Sequence, residues 1–170
     1  AEGFRIQLSE NPSEAGATSA DLIDQQLPIF RSLHPTFATL LVGANDVNRG
    51  ISSDAFRVNF TLLLDDMLSV LPTGKPLIVM TIPDFTLTPV GRRANQGRDL
   101  KRTLDESNRI IREEASSRSL PVVDFYTLSL DFGLLDIALD GLHPSARGHT
   151  TMATTLLRPA VELLVLPEVD

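Results

Sequence analysis

Three short apolar runs, each preceded by a proline, constrain this chain more than any other feature. Phe37-Ala-Thr-Leu-Leu-Val-Gly43 follows Pro35, Leu77-Ile-Val-Met-Thr-Ile82 follows Pro76, and Val122-Val-Asp-Phe125 follows Pro121. Runs of this length bounded by turn residues read as strands. Their near-continuous apolar character suits parallel strands buried on both faces. Phe4-Arg-Ile-Gln-Leu8 instead alternates apolar and polar residues, which predicts a more exposed strand near a sheet edge. Between the runs lie helical patterns over Ser19 to Leu33, Asp54 to Leu71, Arg98 to Arg118 and Ala146 to Leu164. The second carries Phe56, Phe60, Leu63, Leu64, Met67, Leu68 and Leu71 on one stripe, with Ser53 placed as its N-cap. Pro28 interrupts the first pattern and predicts a bent or divided helix, because it removes a backbone donor.

Strand and helix therefore alternate along the chain, the pattern of a doubly wound α/β fold with helices on both faces of a parallel sheet. The 170 residues predict one domain with no linker. The stretch Thr86 to Gly97, rich in Thr, Pro, Gly, Arg and Asn, predicts a long loop or lid.

Charge and composition exclude several functions. Fifteen basic against 22 acidic residues give a formal charge of −7, with the basic residues scattered apart from Arg92-Arg93 and Arg98 to Arg102, so no nucleic-acid footprint is present. The absence of cysteine rules out disulfides and thiolate metal sites and leaves the redox compartment open. No apolar stretch approaches the roughly 20 residues of a membrane helix, and Ala1 to Phe4 does not begin a signal peptide, so the chain as given reads as soluble.

In open α/β sheets ligands sit beyond the carboxyl ends of the strands. The residues there form a coherent set: Asn11 to Gly16 after the edge strand, Gly43-Ala-Asn45-Asp46 after the next, Pro83-Asp84 after the third, and Asp140-Gly-Leu-His143-Pro144 well after the last. Asp140 and His143 share one short loop, and Pro144 discourages His143 from joining the following helix. An aspartate bonded to one ring nitrogen fixes the tautomer and supports the imidazolium that forms when the other nitrogen takes a proton. Asn45 offers an amide donor at a strand end, and Gly16 a backbone N–H at the start of a helix, so the two together are candidates to hold an oxyanion. Each piece also has an ordinary reading. Asn-Asp after a strand is common turn chemistry, and Asp-Gly-Leu-His-Pro is an acceptable turn into a helix capped by Ser145. Co-occurrence at one edge of one sheet carries the argument.

These blocks resemble those of the SGNH/GDSL serine hydrolases. Gly16-Ala-Thr-Ser with Asn11 five residues before it is similar to the second block of that family, Val42-Gly-Ala-Asn45-Asp46 to the third, and Asp140-Gly-Leu-His143-Pro to the fifth. The resemblance covers essentially the whole chain from Phe4 onward. It implies a three-layer α/β/α sandwich with a flavodoxin-like parallel sheet. It also implies hydrolysis of carboxylic esters through an acyl-enzyme, esterase- or lysophospholipase-like, with no metal or organic cofactor. The family roles then fall on Gly16 and Asn45 as oxyanion donors, His143 as general base and Asp140 as its orienting acid.

The family's first block, Gly-Asp-Ser-Leu or a variant, has no counterpart before Gly16. The nucleophile is therefore expected outside this chain: beyond these residues, on a cleaved polypeptide, or absent altogether. Ser9 and Ser13 are the least implausible local substitutes, and neither is nominated. A sheet without that strand is expected to expose an unpaired edge, to be completed by the missing segment or by a second chain. The competing expectation is a catalytically inactive module that binds an acylated ligand or a protein; an acyltransferase would differ from the hydrolase only in its acceptor.

The remaining polar residues have plainer readings. His34, between a helix and Pro35, is expected to be a surface connector, and His149, six residues after His143, to be structural, since that spacing fits no usual zinc site. Asp46 is expected to pair locally, and Asp65-Asp66 to form a solvated helix face. Asp84 with Asp140 is the alternative of a glycosidase acid–base pair. Arg92, Arg93 and Arg98 are expected in a solvated loop, with contact to an anionic head group as the alternative. The Thr86 to Gly97 loop is expected to shape the acyl pocket.

Overall fold

The structure, a computed structural model, describes residues 6–74 and 76–165. Strands β1 (Ala38–Leu40), β2 (Leu77–Met80) and β3 (Val122–Val123) form one parallel sheet in the order β1-β2-β3. Helices lie on both of its faces, giving the expected α/β/α sandwich. Alternation along β2 separates the two faces: Leu77 and Val79 enter the core formed with α4 (Ser53–Val70) and α6 (Leu100–Ser117), while Ile78 and Met80 pack with Val123, Phe125 and Met152 of the other layer.

The amphipathic stripe of α4 forms as read, with Phe56, Phe60, Leu63, Leu64 and Met67 buried. Its cap sits one residue earlier than expected. Ser52, not Ser53, has the extended backbone and accepts the Ala55 N–H at 3.2 Å. On α6 the cap is Asp99. The first helical pattern is divided as Pro28 requires: α1 (Ser19–Asp21) passes through a π turn (Leu22–Gln26) into α2 (Leu27–Leu33), where Pro28 occupies the first turn and needs no donor. His34 ends α2 in the left-handed conformation at the surface. The last helix, α8 (Ala146–Val165), is capped by Ser145, whose Oγ accepts the Gly148 N–H at 3.2 Å. His149 lies exposed in its first turn.

Several expectations are corrected. The stretch Thr86 to Gly97 is not an extended loop. A 3-10 turn (Phe85–Leu87) and α5 (Pro89–Ala94) fold within it, because Asp84 and Thr88 serve as N-caps and Pro89 starts a helix well. The strand expected to run from Val122 to Phe125 stops at Val123, since Asp124 caps α7 (Phe125–Leu130) through the Thr127 N–H at 3.1 Å. A short helix missed by the sequence reading, α3 (Ala44–Arg49), follows β1 directly. Of the expected edge strand, Phe4 and Arg5 lie outside the described residues. Ile6 to Leu8 form no strand, because no ladder partner lies against them: β1 stands across a groove.

Asp65 and Asp66 do not form a merely solvated face. Asp66 accepts from Arg31 of α2 at 2.8 Å and Asp65 from Arg118 at the end of α6 at 2.7 Å, tying three helices together at the surface. The Arg31 guanidinium holds the Asp66 carboxyl below its usual range.

Candidate active site

Two pairs of the expected site residues are held by defined contacts. The first pair is Gly16 and Asn45. Gly43, at the end of the β1 run, must turn at φ 116 while a Cβ there would lie 2.7 Å from Ile82 Cδ1 and 3.0 Å from the Phe56 ring, so only glycine fits without displacement. That turn launches α3 and sets Asn45 on its first turn, where Nδ2 donates to the Ala17 carbonyl at 2.9 Å. One of the two amide N–H groups is thereby used, and an amide has a second to give.

Gly16 does not begin a helix. It sits at φ 84 in the turn closed by Ala17 N–H to Glu14 O at 3.3 Å, two residues before Thr18, which caps α1. Arg49 donates to the Gly16 carbonyl at 2.6 Å.

Asp46 fastens this pair, and it does so at long range rather than locally. Its buried carboxylate accepts the Ser19 N–H at 2.9 Å and the Ser19 hydroxyl at 2.5 Å, and Asn59 donates to the same hydroxyl at 3.0 Å. Helices α1, α3 and α4 thus meet at one polar knot directly beneath Asn45. A small cavity of about 160 Å³ opens beside it, lined by Ser13, Ala17, Gly43, Asn45, Ile82 and Pro83.

The second pair is Asp140 and His143. Asp140 Oδ1 accepts the backbone N–H groups of Leu142 and His143 at 2.9 and 3.0 Å, and its Oδ2 lies 2.6 Å from His143 Nδ1. The His143 bond, then the two amides, hold this carboxyl down at about 2, so it is ionised and can only accept. The proton in that bond belongs to the ring, which places it on Nδ1 and leaves the Nε2 lone pair of neutral imidazole as a base. The His143 side chain is 69% exposed, so Nε2 is within reach of a substrate. The loop is braced by α5, where Val90 N–H donates to the Gly141 carbonyl at 3.0 Å, and by Ala138 N–H to His143 O at 2.8 Å.

No hydrogen bond among the described residues joins the two pairs, and neither Asp140 nor His143 lines the cavity beside Asn45. Of the local serines, Ser13 lines that cavity but its hydroxyl donates to Asn11 Oδ1 at 2.7 Å, and Ser9 lies exposed along the groove beside β1.

Asp84 is engaged elsewhere, by Thr86 and beside Lys101. It is buried at the end of the β2 run, where Oδ1 accepts from the Thr86 N–H and hydroxyl and Lys101 Nζ stands 3.8 Å from Oδ2. Arg92 and Arg93 of α5 spend their Nε–H groups on the carbonyls of Leu87 and Pro89, and Arg98 donates to the carbonyl of Asn48, so these cations brace chain turns. The brace residues missed in the sequence include Asn108 of α6, buried and bonded to both the N–H and the carbonyl of Ile82 at 2.7 and 2.9 Å, which fixes the end of the β2 run. No helix among the described residues is long and apolar enough to cross a membrane.

Comparison with known proteins gives the chain's family and fold. Residues 2–151 match the model of the GDSL-like lipase/acylhydrolase family. A secreted effector protein, SseJ of Salmonella typhimurium, is 32% identical over 110 residues, covering 57% of this chain; the chain spans about a quarter (26%) of that relative's length.

Among solved structures, an Enterococcus faecalis lipase/acylhydrolase superposes with a TM-score of 0.64 at 22% identity, over 85% of this chain and 70% of the other. The acetylxylan esterase Axe2 of Geobacillus stearothermophilus gives 0.66 at 22%, over 85% and 68%. A GDSL-like lipase of Bacteroides thetaiotaomicron gives 0.68 at 20%, over 86% and 72%. These likenesses establish a shared fold, and with the family match over most of its length this chain belongs to the GDSL-like lipase/acylhydrolase family.

Proposed function

We propose that this chain supplies the base, its orienting acid and oxyanion donors of a serine ester hydrolase whose nucleophilic serine comes from a segment outside these 170 residues. The observation that carries the reading is the Asp140–His143 pair. A carboxylate held by two backbone N–H groups bonds Nδ1 at 2.6 Å and leaves Nε2 as an exposed base. In the reaction the serine hydroxyl attacks the ester carbonyl as His143 Nε2 takes its proton. Gly16 N–H and the second Asn45 N–H stabilise the oxyanion, and His143 returns the proton to the departing alcohol. Water, activated by the same imidazole, then frees the acid.

The cavity beside Asn45, about 160 Å³, is well below the roughly 300–1,000 Å³ of sites for drug-sized ligands, which supports a short acyl group. Acetate and butyrate esters are therefore expected to turn over faster than octanoate esters. The test is fluorophosphonate labelling of the protein that contains these residues, with p-nitrophenyl butyrate hydrolysis alongside. One labelled serine outside this chain, with label and hydrolysis both lost in His143→Ala, is the expected result. Label on Ser9 or Ser13 would overturn the placement of the nucleophile. Absence of both label and hydrolysis would leave a binding module in place of an enzyme.

A further inference from the structure

The loop that carries Asp140 and His143 also exposes its leucines. Leu139 at 109% and Leu134 at 83% are the two most exposed of the large hydrophobic residues described, with Leu135 beside them at 72%. The segment is nevertheless tightly bonded. Ala138 N–H donates to the His143 carbonyl at 2.8 Å, Gly141 N–H to the Ala138 carbonyl at 2.9 Å and Ser145 N–H to the Asp136 carbonyl at 2.8 Å, and Ile137 meets Pro144 in an antiparallel bridge. A closed turn therefore holds Leu139 out in water next to Asp140. Exposed apolar groups gathered in this way mark a surface that meets a protein or a membrane.

The charges beside this tip are equally uneven. A Cβ on Gly141 would lie 3.4 Å from Val90 and 3.5 Å from Pro89, so the loop rests on α5, which carries the exposed Arg92 and Arg93. Arg93 stands four residues after Pro89, on the same helix face. Every other arginine or lysine among the described residues except Arg98 is ion-paired to a carboxylate, in a chain whose net charge is −7. Arg92 and Arg93 each spend Nε–H on a carbonyl, of Leu87 and Pro89, and keep a permanent charge for an anion from outside. On the loop itself Asp136 is held by Arg147 and Asp140 by His143, so neither carboxylate stands unpaired against that anion.

We propose that Leu134, Leu135 and Leu139, with Arg92 and Arg93 beside them, form a docking surface for an anionic lipid layer. The leucines enter the boundary between headgroups and acyl chains, and the arginines meet lipid phosphates. Docking in this way brings the Asp140–His143 loop to headgroup level.

The shape favours a lipid layer over a protein partner. Neither the leucine loop nor α5 lines the groove along β1 or the cavity beside Asn45. A fluid layer accepts a projecting apolar tip of any outline, whereas a protein partner needs a matched surface or a strand edge to pair with. The bonded backbone of this turn offers no such edge. The segment expected to complete the sheet is no better an occupant. Its seat is the open edge of β1, whereas the leucine loop follows β3 at the opposite edge. The docking surface stands on these side chains alone, whether or not the chain hydrolyses esters.

The test floats the protein that contains these residues with vesicles of phosphatidylcholine alone and of phosphatidylcholine mixed with phosphatidylglycerol. The expected result is binding to the mixed vesicles that weakens as salt rises. Leu134→Ser, Leu135→Ser and Leu139→Ser together should weaken it at least about tenfold. Arg92→Gln with Arg93→Gln should weaken it roughly fivefold per arginine and leave binding to phosphatidylcholine vesicles unchanged. All five side chains are exposed, so both variants keep the fold by circular dichroism. The 170 residues contain no tryptophan, so the emission of Leu139→Trp, less that of the wild type, reports on the tip. It should shift to the blue with mixed vesicles and be quenched by lipids brominated on their acyl chains. Binding without that shift, or equal binding by the leucine variant, would overturn the proposal by placing the contact elsewhere. If the Leu139→Trp signal is already blue and shielded from acrylamide before vesicles are added, another part of the protein covers the tip and the proposal fails. Binding to neither vesicle would overturn it in favour of a protein partner. His143→Ala should bind as the wild type does, so docking is read apart from hydrolysis and survives if the hydrolase reading fails.

Discussion

The Val90 N–H donates to the Gly141 carbonyl at 3.0 Å, and through that bond a helix at the end of β2 holds the loop that carries Asp140 and His143. The helix reaches this position only because its middle residue has no side chain. A Cβ on Gly91 would lie 1.8 Å from the Phe85 carbonyl oxygen and 2.7 Å from its carbon, both backbone atoms of the preceding turn. Gly91→Ala must therefore push α5 off that turn. The expected loss is about 1–3 kcal/mol, as for overpacking generally, or a fall in Tm of roughly 2–4 °C per kcal/mol for a chain of this size. Faster hydrogen exchange at Gly141 to His143 should accompany it. An unchanged melt and unchanged exchange would show that α5 does not brace the loop.

The Asp140 carboxyl is held at about 2 by the His143 ring and two amides, against roughly 3.9 for a free aspartate. A depressed carboxyl favours the folded loop above the free value and loses that advantage as pH falls through the folded one. The Asp140 carboxyl carbon resonance should accordingly show its main titration step well below that of a free aspartate, near pH 2. A main step at the free-aspartate value would contradict the hydrogen bonding assigned here. In the ester-hydrolysing protein, Asp140→Asn should cut kcat by on the order of 10²–10⁴-fold, because an amide can turn its NH₂ toward Nδ1 and move the ring proton to Nε2.

How much of this could be read beforehand follows from sequence distance. Asp140 and His143 were legible because three positions and a proline confine their contact to one loop. The α4 stripe was legible because burial on one face imposes its own period. The stretch after β2 was misread as loop because N-cap Asp84, N-cap Thr88 and Pro89 are the same residue types that make turns, and only the packing of Gly91 on Phe85 decides between them. Asp46 was misread for another reason. Its partner Ser19 lies 27 positions away, and no local pattern announces a bond that forms only when α1 and α3 meet across β1. The groove along β1 was anticipated as an unpaired edge, but its far wall at Ile6 and Leu8 depends on how the chain returns past the strand.

The Asp46–Ser19 knot makes a prediction about stability that is separate from chemistry. Asp46 is 1% exposed and Ser19 fully buried, and hydrogen bonds to charged groups contribute about 1.5–3 kcal/mol. Asp46→Asn and Ser19→Ala should each destabilise by about that amount in urea melts. The double variant should cost less than the two together, since one interaction is being removed twice. Strict additivity would mean that the two residues act through different neighbours.

Asn45 tests whether the amide beside the small cavity acts on the reaction or only on the turn it touches. Its known bond is to the Ala17 carbonyl at 2.9 Å, and losing a bond of that kind costs about 0.5–1.5 kcal/mol of stability. The Gly16 turn would still be held by Arg49 and by the Asp46–Ser19 knot, so Asn45→Ala should fold. If the second N–H meets the oxyanion, kcat in the ester-hydrolysing protein should fall by on the order of 10²–10³-fold with KM little changed, because the bond strengthens only as charge develops. Asn45→Asp should be worse than Ala, since it sets a carboxylate where the oxyanion forms. The pair of variants separates the two roles. A turn-only residue would give Asp and Ala similar rates and lower them through stability alone, which heating the wild-type protein to the same fraction folded would reproduce.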